Sequence, residues 1–142
     1  MAFLNSYLNF NGNCEQAFNL YKSVFGGEFQ AISRFGDVPP GMPNMEGADP
    51  NGILHVALPV GQHCTLMGSD CPPSFSTGTQ GNLFNISITA DSKEEADRLF
   101  NGLSAGGNVY MPMADSFWGS YFGMLTDAFG VQWMVSYDYP KS

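Results

Sequence analysis

The chain has 142 residues, of which 44% are hydrophobic, and it carries a formal net charge of -8 from 13 acidic and 5 basic residues. This length and hydrophobic content are typical of one globular domain and exclude a disordered chain. The acidic balance and the lack of a basic stripe argue against nucleic acid as a partner.

The N-terminal part predicts a strand followed by an amphipathic helix. Residues 4–10 are rich in apolar side chains and run into the helical segment. Asn13 with Gln16 predicts a side-chain cap at the start of the helix, and Gly26 with Gly27 predicts its end. The apolar residues between them recur at three- and four-residue spacing, at Ala17, Phe18, Tyr21 and Phe25.

Three further strands are predicted in the first half, at residues 28–35, 53–60 and 64–69. Between the first two lies a segment, residues 37–51, with four prolines, which predicts a long surface loop because proline interrupts helices. Residues 70–81 predict a second irregular segment, which joins the two halves of the chain.

The second half repeats the first at a spacing of 79 residues, so that Asn13 lies over Ser92 and Tyr21 over Phe100. Ser92 with Glu95 predicts a capping box. Strands are predicted at residues 83–90, 108–114, 120–126 and 131–137. We therefore predict one α+β domain, residues 1–142, made of two βαβββ modules at about 1–70 and 82–142, with a linker at 71–81.

Several segments together carry a resemblance to a known family. They are Tyr7 to Phe10, Cys14 to Ala17, Ile53 to His55, Leu66 to Asp70, and the stretch from Phe117-Trp118-Gly119 to Trp133. With these motifs the chain resembles the PhnB-like family of the glyoxalase, bleomycin resistance and extradiol dioxygenase group, the vicinal oxygen chelate superfamily. The resemblance implies a glyoxalase-like fold, a dimer, and a curled sheet around a pocket.

Members of this family often carry the name 3-demethylubiquinone-9 3-methyltransferase. A methyltransferase would need a glycine-rich cofactor loop after a strand, and this chain has no such motif. The sequence therefore predicts no methyl-donor site.

The resemblance also implies where a metal would bind in the metal-dependent relatives, which use one side chain from the first and one from the last strand of each module. The first-strand positions fall at Ser6 and Asn85, which are 79 residues apart; the last-strand positions fall at Leu66 or Met67 and at Met134. None is a histidine or a carboxylate, and divalent ions need such donors. We expect no metal and no cofactor.

The two histidines, His55 and His63, offer a weaker route to a metal site. They lie on consecutive predicted strands, and a carboxylate ligand would have to come from Glu28, Asp70 or Asp115. The plainer interpretation is that His55 is packed in its strand and His63 lies at the edge of a turn. His55 is the best candidate for a catalytic proton-transfer group, because imidazole suits that role near neutral pH.

The three cysteines predict no disulfide framework, since Cys14, Cys64 and Cys71 are odd in number and have no paired spacing. Cys14 and Cys64 are expected to be buried as small apolar side chains, and Cys71 lies in the linker. No apolar run approaches the roughly 20 residues of a membrane span, so no membrane partner is expected. The N-terminus lacks the pattern of a signal peptide, and a cytoplasmic location is the expectation.

Aromatic and methionine side chains are abundant, and the resemblance implies that several of them line the cup that the superfamily forms between its modules, which together predict a small-molecule pocket. The predicted lining residues are Ser6, Tyr7, Asn9, His55, Met67, Asn85, Ser87, Trp118, Phe122 and Met134. Three hypotheses stay open. The first is a metal-independent binder of a small apolar or aromatic molecule, the second an enzyme acting on a small vicinal-oxygen substrate, and the third a scaffold whose cup is filled by its own side chains. In each case the expected partner chain is a second copy of the protein.

Overall fold

The computed structural model describes residues 2, 4–39, 47–72, 81 and 83–140. The chain forms two compact units, Met1–Thr79 and Gln80–Ser142. Each unit contains one helix and one four-stranded sheet. This confirms the α+β class and the glyoxalase-like fold that the sequence predicts. Residues 40–46 of the predicted loop and residues 73–80 of the predicted linker lie outside the described residues.

The N-terminal unit has a mixed sheet with the strand order β1-β4-β3-β2. Strand β1 runs parallel to β4, and the other neighbours are antiparallel. A short 3-10 turn, Phe35–Asp37, follows β2. The element bounds are β1 Ser6–Phe10, α1 Cys14–Phe25, β2 Ala31–Arg34, β3 Ile53–Val60 and β4 Cys64–Asp70.

The C-terminal unit repeats this arrangement with the order β5-β8-β7-β6, in which β5 is parallel to β8. Its edge strand β6 pairs with β7 through two register shifts, one on each side of Met111. The element bounds are β5 Ile86–Thr89, α2 Lys93–Ser104, β6 Asn108–Asp115, β7 Ser120–Thr126 and β8 Gln132–Asp138.

Each helix covers one face of its own sheet with the apolar stripe that the sequence predicts. In α1 the ring of Phe18 contacts the rings of Phe10 and Tyr21 edge-on. Trp133 and Leu125 of the C-terminal sheet are fully buried. The residues that α2 buries are Ala96, Leu99, Phe100 and Leu103. The hydrophobic core of each unit therefore lies between its helix and its sheet.

Two glycines allow the helices to approach this closely. A Cβ at Gly68 of β4 would lie 2.6 Å from the ring of Phe18. A Cβ at Gly123 of β7 would lie 2.8 Å from the ring of Phe100 and 2.7 Å from the sulfur of Met113. Both distances are shorter than van der Waals contact, so any larger residue would push the helix away from the sheet.

The start of α1 differs from the sequence prediction. Asn13 precedes the helix but its side chain makes no capping hydrogen bond, so the predicted Asn13 cap is wrong. Asp70, at the end of β4, takes that role. Its Oδ1 accepts from the backbone N–H groups of Gly12 at 3.0 Å and Cys14 at 2.9 Å, and its Oδ2 accepts from Ile53 N–H at 2.9 Å. The buried carboxylate thus joins α1, β3 and β4.

The start of α2 follows the prediction. The Ser92 hydroxyl accepts from the backbone N–H of Glu95 at 3.0 Å, as in a capping box. The Glu95 carboxylate reaches one residue further back than the motif requires and accepts from the Asp91 N–H at 2.8 Å. Among the described residues, no helix is long and apolar enough to cross a membrane.

Candidate functional site

Because each helix covers only one face of its sheet, each unit has a second face that is not covered by any helix of the described residues. We call these the N-terminal open face and the C-terminal open face. Side chains alternate between the two faces along a strand, so the position of one residue fixes that of its neighbours. Phe10 contacts Phe18 of α1, so Phe10 points to the covered face and Tyr7 and Asn9 point to the open one.

Four predicted pocket residues meet on the N-terminal open face. Tyr7 of β1 is the Cα partner of Met67 on β4. The ring of His55, on β3, stacks against that of Tyr7 with 5.9 Å between centroids. Asn9 lies one step along the face, where its Oδ1 accepts from the Ser69 hydroxyl at 3.4 Å. The structure thus brings a phenol, an imidazole, a thioether and an amide onto one surface.

Ser6 does not join this group. It alternates with Tyr7 and lies on the covered face with Leu8 and Phe10. The reason is a change of spacing between the repeats. The residues before the helices, Asn13 and Ser92, are 79 apart, but the last inward-facing residues of the strand segments, Phe10 and Ala90, are 80 apart. The connection from strand to helix is one residue longer in the first unit, so Ser6 and Asn85 are not equivalent positions.

The C-terminal open face carries Ser87, Phe122 and Met134. Ser87 is the Cα partner of Met134 across β5 and β8. The same register makes Ser136 of β8 the partner of Phe122 on β7. The buried residues Trp133 and Val135 alternate with these and face α2. Three of the predicted pocket residues of this unit therefore share one surface.

Asn85 lies beside this face, immediately before β5. Its Oδ1 accepts a hydrogen bond from the phenol of Tyr110 at 3.0 Å. Tyr110 belongs to β6, the opposite edge strand, and β7 and β8 lie between the two edges. In a flat sheet these edges would be roughly 14 Å apart, given about 4.8 Å between neighbouring strands. The phenol and the amide therefore meet over β7 and β8 on the open face, as expected of a sheet that curls toward that face.

Trp118 lies in the turn between β6 and β7, at one end of the same face. The turn is held by Ser116, whose hydroxyl accepts from Ser120 N–H at 3.1 Å, and by Gly119 with a positive φ of 91°. The Trp118 ring packs edge-on against Phe122 with 5.7 Å between centroids, yet 60% of the residue is exposed. The turn thus presents an exposed indole beside an open-face phenylalanine.

A row of methionines crosses the C-terminal open face, and sequence reasoning identified only one of its members. Met111, Met124 and Met134 are successive Cα partners on β6, β7 and β8. Their alignment depends on the strand register, which the sequence does not reveal. Each strand contains a methionine among apolar residues, and this was the one available indication. The row is continued on β5 by Ser87.

The donor chemistry of these faces does not fit the metal centre known from metal-dependent members of the superfamily. The paired first- and last-strand residues that face outward are Tyr7 with Met67, and Ser87 with Met134. Neither pair contains an imidazole or carboxylate, so neither offers the donors that a hard or borderline divalent ion requires. Within the described residues, no group of three His, Cys, Asp or Glu side chains is placed to hold a metal ion.

The carboxylates considered as partners for His55 have other contacts. Glu28 forms an ion pair with Lys22 at 2.9 Å, and Asp70 accepts three backbone N–H groups. Asp115 accepts from the Tyr139 phenol at 2.5 Å. His63 is exposed in the turn between β3 and β4, in keeping with the plainer interpretation of this residue.

Cys14 is unsuited to nucleophilic chemistry. Cys14 is fully buried, and burial, followed by the nearby charges of Asp70 and Glu15, raises the pKa of its thiol to about 12. A thiol with so high a pKa holds its proton at neutral pH. The expectation of burial was wrong for Cys64, which is exposed because it begins β4 at the tip of the β3–β4 hairpin.

Tyr121 marks the covered side of the C-terminal sheet. Its phenol donates to Asp97 of α2 at 2.7 Å, and the ammonium of Lys93 lies 4.6 Å from the centre of its ring. The hydrogen bond to Asp97 is the main cause that raises the pKa of Tyr121 to about 12. These charged groups lie on the helix side, away from the open face.

The sequence profile described as "Glyoxalase/Bleomycin resistance protein/Dioxygenase superfamily" matches residues 4–135, nearly the whole chain. The chain belongs to this superfamily. The resemblance to this superfamily that the sequence motifs indicated is therefore confirmed. The match spans both units, so it includes both open faces.

Three relatives show how similar the chain is to known proteins. Protein YjdN of Escherichia coli strain K12 is 31% identical over 140 residues, which cover 94% of this chain and 93% of YjdN. The crystal structure of PA1353 from Pseudomonas aeruginosa is 41% identical, with a TM-score of 0.84 and coverage of 97% and 98%.

A third relative shares the fold at lower identity. It is a Bacillus cereus protein described as a putative 3-demethylubiquinone-9 3-methyltransferase, PhnB protein. It is 23% identical, with a TM-score of 0.75 and coverage of 96% and 99%. Its likeness to this chain concerns the fold, which agrees with the predicted architecture.

Proposed function

We propose that this protein is a PhnB-like binding protein that holds a small apolar or aromatic molecule on its C-terminal open face without a divalent metal. The observation that carries the proposal is the exposed indole of Trp118 beside Phe122, on an open face whose two central rows carry no charged side chain. An aromatic side chain left in water at the edge of an apolar surface is typical of a small-molecule site.

The composition of the face supports an apolar ligand. The two cross-strand rows at its centre consist of Ser87, Met134, Met124 and Met111, and of Thr89, Ser136, Phe122 and Ala114. None of these described residues is charged. Serine and threonine lie on the β5 side and thioethers and a phenyl ring on the β6–β7 side, so a ligand with one polar edge would fit this distribution.

Trp118 would supply a large share of the binding energy. A tryptophan can bury roughly 250 Å², so covering its exposed 60% removes about 150 Å² from water. At about 25 cal/mol per Å² this contributes about 4 kcal/mol before the entropic cost of association. This is the contribution expected of a central anchor in a binding site.

The position of the hydrophobic core argues against the alternative of a packed scaffold. Trp133, Leu125 and Val135 already fill the space beneath α2 and are buried almost completely. The aromatic and sulfur side chains of the open face are therefore additional to the core of this unit, and their partial exposure favours a role in binding.

A homodimer in the cytoplasm remains part of the proposal. Large apolar residues are exposed just before the first strand of each unit, with Leu4 at 96%, Leu83 at 90% and Phe84 at 77%. Patches of this kind together with open sheet edges are commonly covered by a second copy. The proposed dimer would remove these side chains from water.

A second candidate function is an enzyme acting on a small vicinal-oxygen substrate, and the position of His55 favours it. Its imidazole lies on the N-terminal open face against the Tyr7 ring, accessible to a bound molecule. A base at this position could remove the proton next to a carbonyl. The test is exchange of the α-proton of small hydroxyketones in heavy water, followed by NMR. Exchange that is lost in His55→Gln and kept in Tyr7→Phe would support the enzyme, and no exchange above buffer would reject it.

The binding proposal is tested by ligand-observed NMR with a library of small aromatic and aliphatic compounds. We expect compounds that bind the wild-type protein to lose affinity at least tenfold in Trp118→Ala. Ile32→Ala removes an apolar side chain that is 44% exposed in the N-terminal unit, outside the proposed binding face, and serves as the control. Equal loss in both variants, or the absence of any binder, would contradict the proposal.

A further inference from the structure

The methionine row on the C-terminal open face places three thioether groups side by side. Met111, Met124 and Met134 follow one another as Cα partners on three adjacent strands. Met111 is 44% exposed, and the other two are partly exposed. Core methionines would be buried, so three thioethers at one level on a solvent-accessible face are available to a ligand.

The geometry of the sheet allows the three sulfur atoms to converge. Residues directly opposite each other on neighbouring strands have Cβ atoms about 4.5 to 5.5 Å apart. Methionine side chains have three rotatable bonds and adapt readily to a bound group. The Tyr110 phenol also reaches Asn85 across this face, as expected of a sheet that curls toward it, and such a curl brings side chains on that face together.

Strand β6 is irregular next to Met111. Its register shifts on both sides of Met111, between Val109 and Met111 and between Met111 and Ala114. Such bulges increase the local twist and re-aim side chains, and they are frequent next to functional sites. Each shift adds a residue to β6, so the regular alternation of side chains is interrupted on both sides of Met111. As the Cα partner of Met124, Met111 therefore lies on the open face, whereas Met113 lies on the covered side.

Thioether sulfur is a soft, uncharged donor. It binds poorly to hard divalent ions, which prefer oxygen ligands, and suits a soft monovalent cation such as Cu(I). The eight residues of the two central rows include no carboxylate, imidazole or thiol that would favour a divalent ion instead. We propose that Met111, Met124 and Met134 form a three-thioether site for a soft monovalent cation, Cu(I) or its redox-inert analogue Ag(I). This site shares its residues with the face of the small-molecule proposal above, but its chemistry does not depend on that proposal.

The test is a calorimetric titration with Ag(I), which avoids the oxidation chemistry of copper. Thiols would compete for the ion, so the parent protein carries Cys64→Ser and Cys71→Ser, and Cys14 stays in place because it is fully buried. We expect one equivalent of Ag(I) to bind. Met124→Leu and Met134→Leu should each lower the affinity at least tenfold, since leucine keeps the volume and removes the sulfur.

Two other methionines provide matched controls. Met113 lies against Gly123 on the covered side of the same sheet, and Met67 belongs to the N-terminal unit. Met113→Leu and Met67→Leu should leave the Ag(I) affinity unchanged. Binding that persists when all three residues of the row are leucine would overturn the proposal, as would the absence of Ag(I) binding. Because leucine keeps the face apolar, loss of Ag(I) binding with retained small-molecule binding separates the two proposals.

Discussion

Removal of the Asp70 carboxylate should destabilise the N-terminal unit more than any other single carboxylate substitution in it. Asp70 accepts three backbone N–H groups, from Gly12, Cys14 and Ile53, at 2.9 to 3.0 Å. The bonds to Cys14 and Ile53 are buried, and the bond to Gly12 is partly buried. A buried donor left without a partner costs about 1 to 3 kcal/mol. The two buried donors alone make the cost of Asp70→Ala about 2 to 6 kcal/mol, a large part of the roughly 5 to 15 kcal/mol typical of a domain.

The assay is urea unfolding followed by far-ultraviolet circular dichroism. Asp70→Asn retains one acceptor oxygen and should cost about 1 to 3 kcal/mol, because the amide can replace only part of the contacts. Asp138→Ala removes an exposed carboxylate at the end of β8 and should change the free energy of unfolding by less than about 0.5 kcal/mol. A cost below about 1 kcal/mol for Asp70→Ala would refute the assignment of Asp70 as the residue that caps α1 and holds β3.

Three further predictions follow from the exposed and buried side chains. Light scattering should give twice the 15.4 kDa chain mass at micromolar concentration, because the proposed second copy would cover the exposed Leu83 and Phe84; a monomer would contradict this. Zinc, nickel, iron and manganese should leave the melting temperature unchanged. A specific ion at 100 times its dissociation constant would stabilise the protein by about 2.7 kcal/mol, and such a shift would count against the metal-free account. Trp118→Ala should cost less than about 2 kcal/mol, since most of the ring is exposed, whereas Trp133→Ala should cost about 3 to 5 kcal/mol as a buried core change. The reverse order would show that Trp118 is core.

The general fold could be predicted from sequence because the repeat, the amphipathic helices and the superfamily motifs all agree. The positions of individual side chains were harder to predict. One extra residue between β1 and α1 shifts the strand relative to the helix, and a shift of one residue moves every strand side chain to the other face. Ser6 therefore lies on the covered face, although the helices do repeat at the predicted spacing.

Contacts between distant parts of the chain account for the other differences. The cap of α1 comes from Asp70, 56 residues beyond Cys14, and no local pattern indicates that contact. The methionine row depends on the register of three strands, including two bulges in β6 that hydrophobic alternation does not predict. Cys64 was expected to be buried because it lies in a strand, but its place at the start of β4 leaves it exposed. In contrast, the contacts of the Asp127 carboxylate are local in sequence, because it accepts from the backbone N–H groups of Phe129 and Val131.

The most direct test of the proposed binding face is methyl NMR of the methionines during titration with a compound found in the library screen. Each methionine methyl group gives one signal, and substitution to leucine assigns it. The methyl signals of Met124 and Met134, on the open face, should shift as the compound binds. The signal of Met113, which lies against Gly123 on the covered side of the same sheet, should stay in place. Shifts at Met113 without shifts at Met124 and Met134 would contradict the proposed binding face.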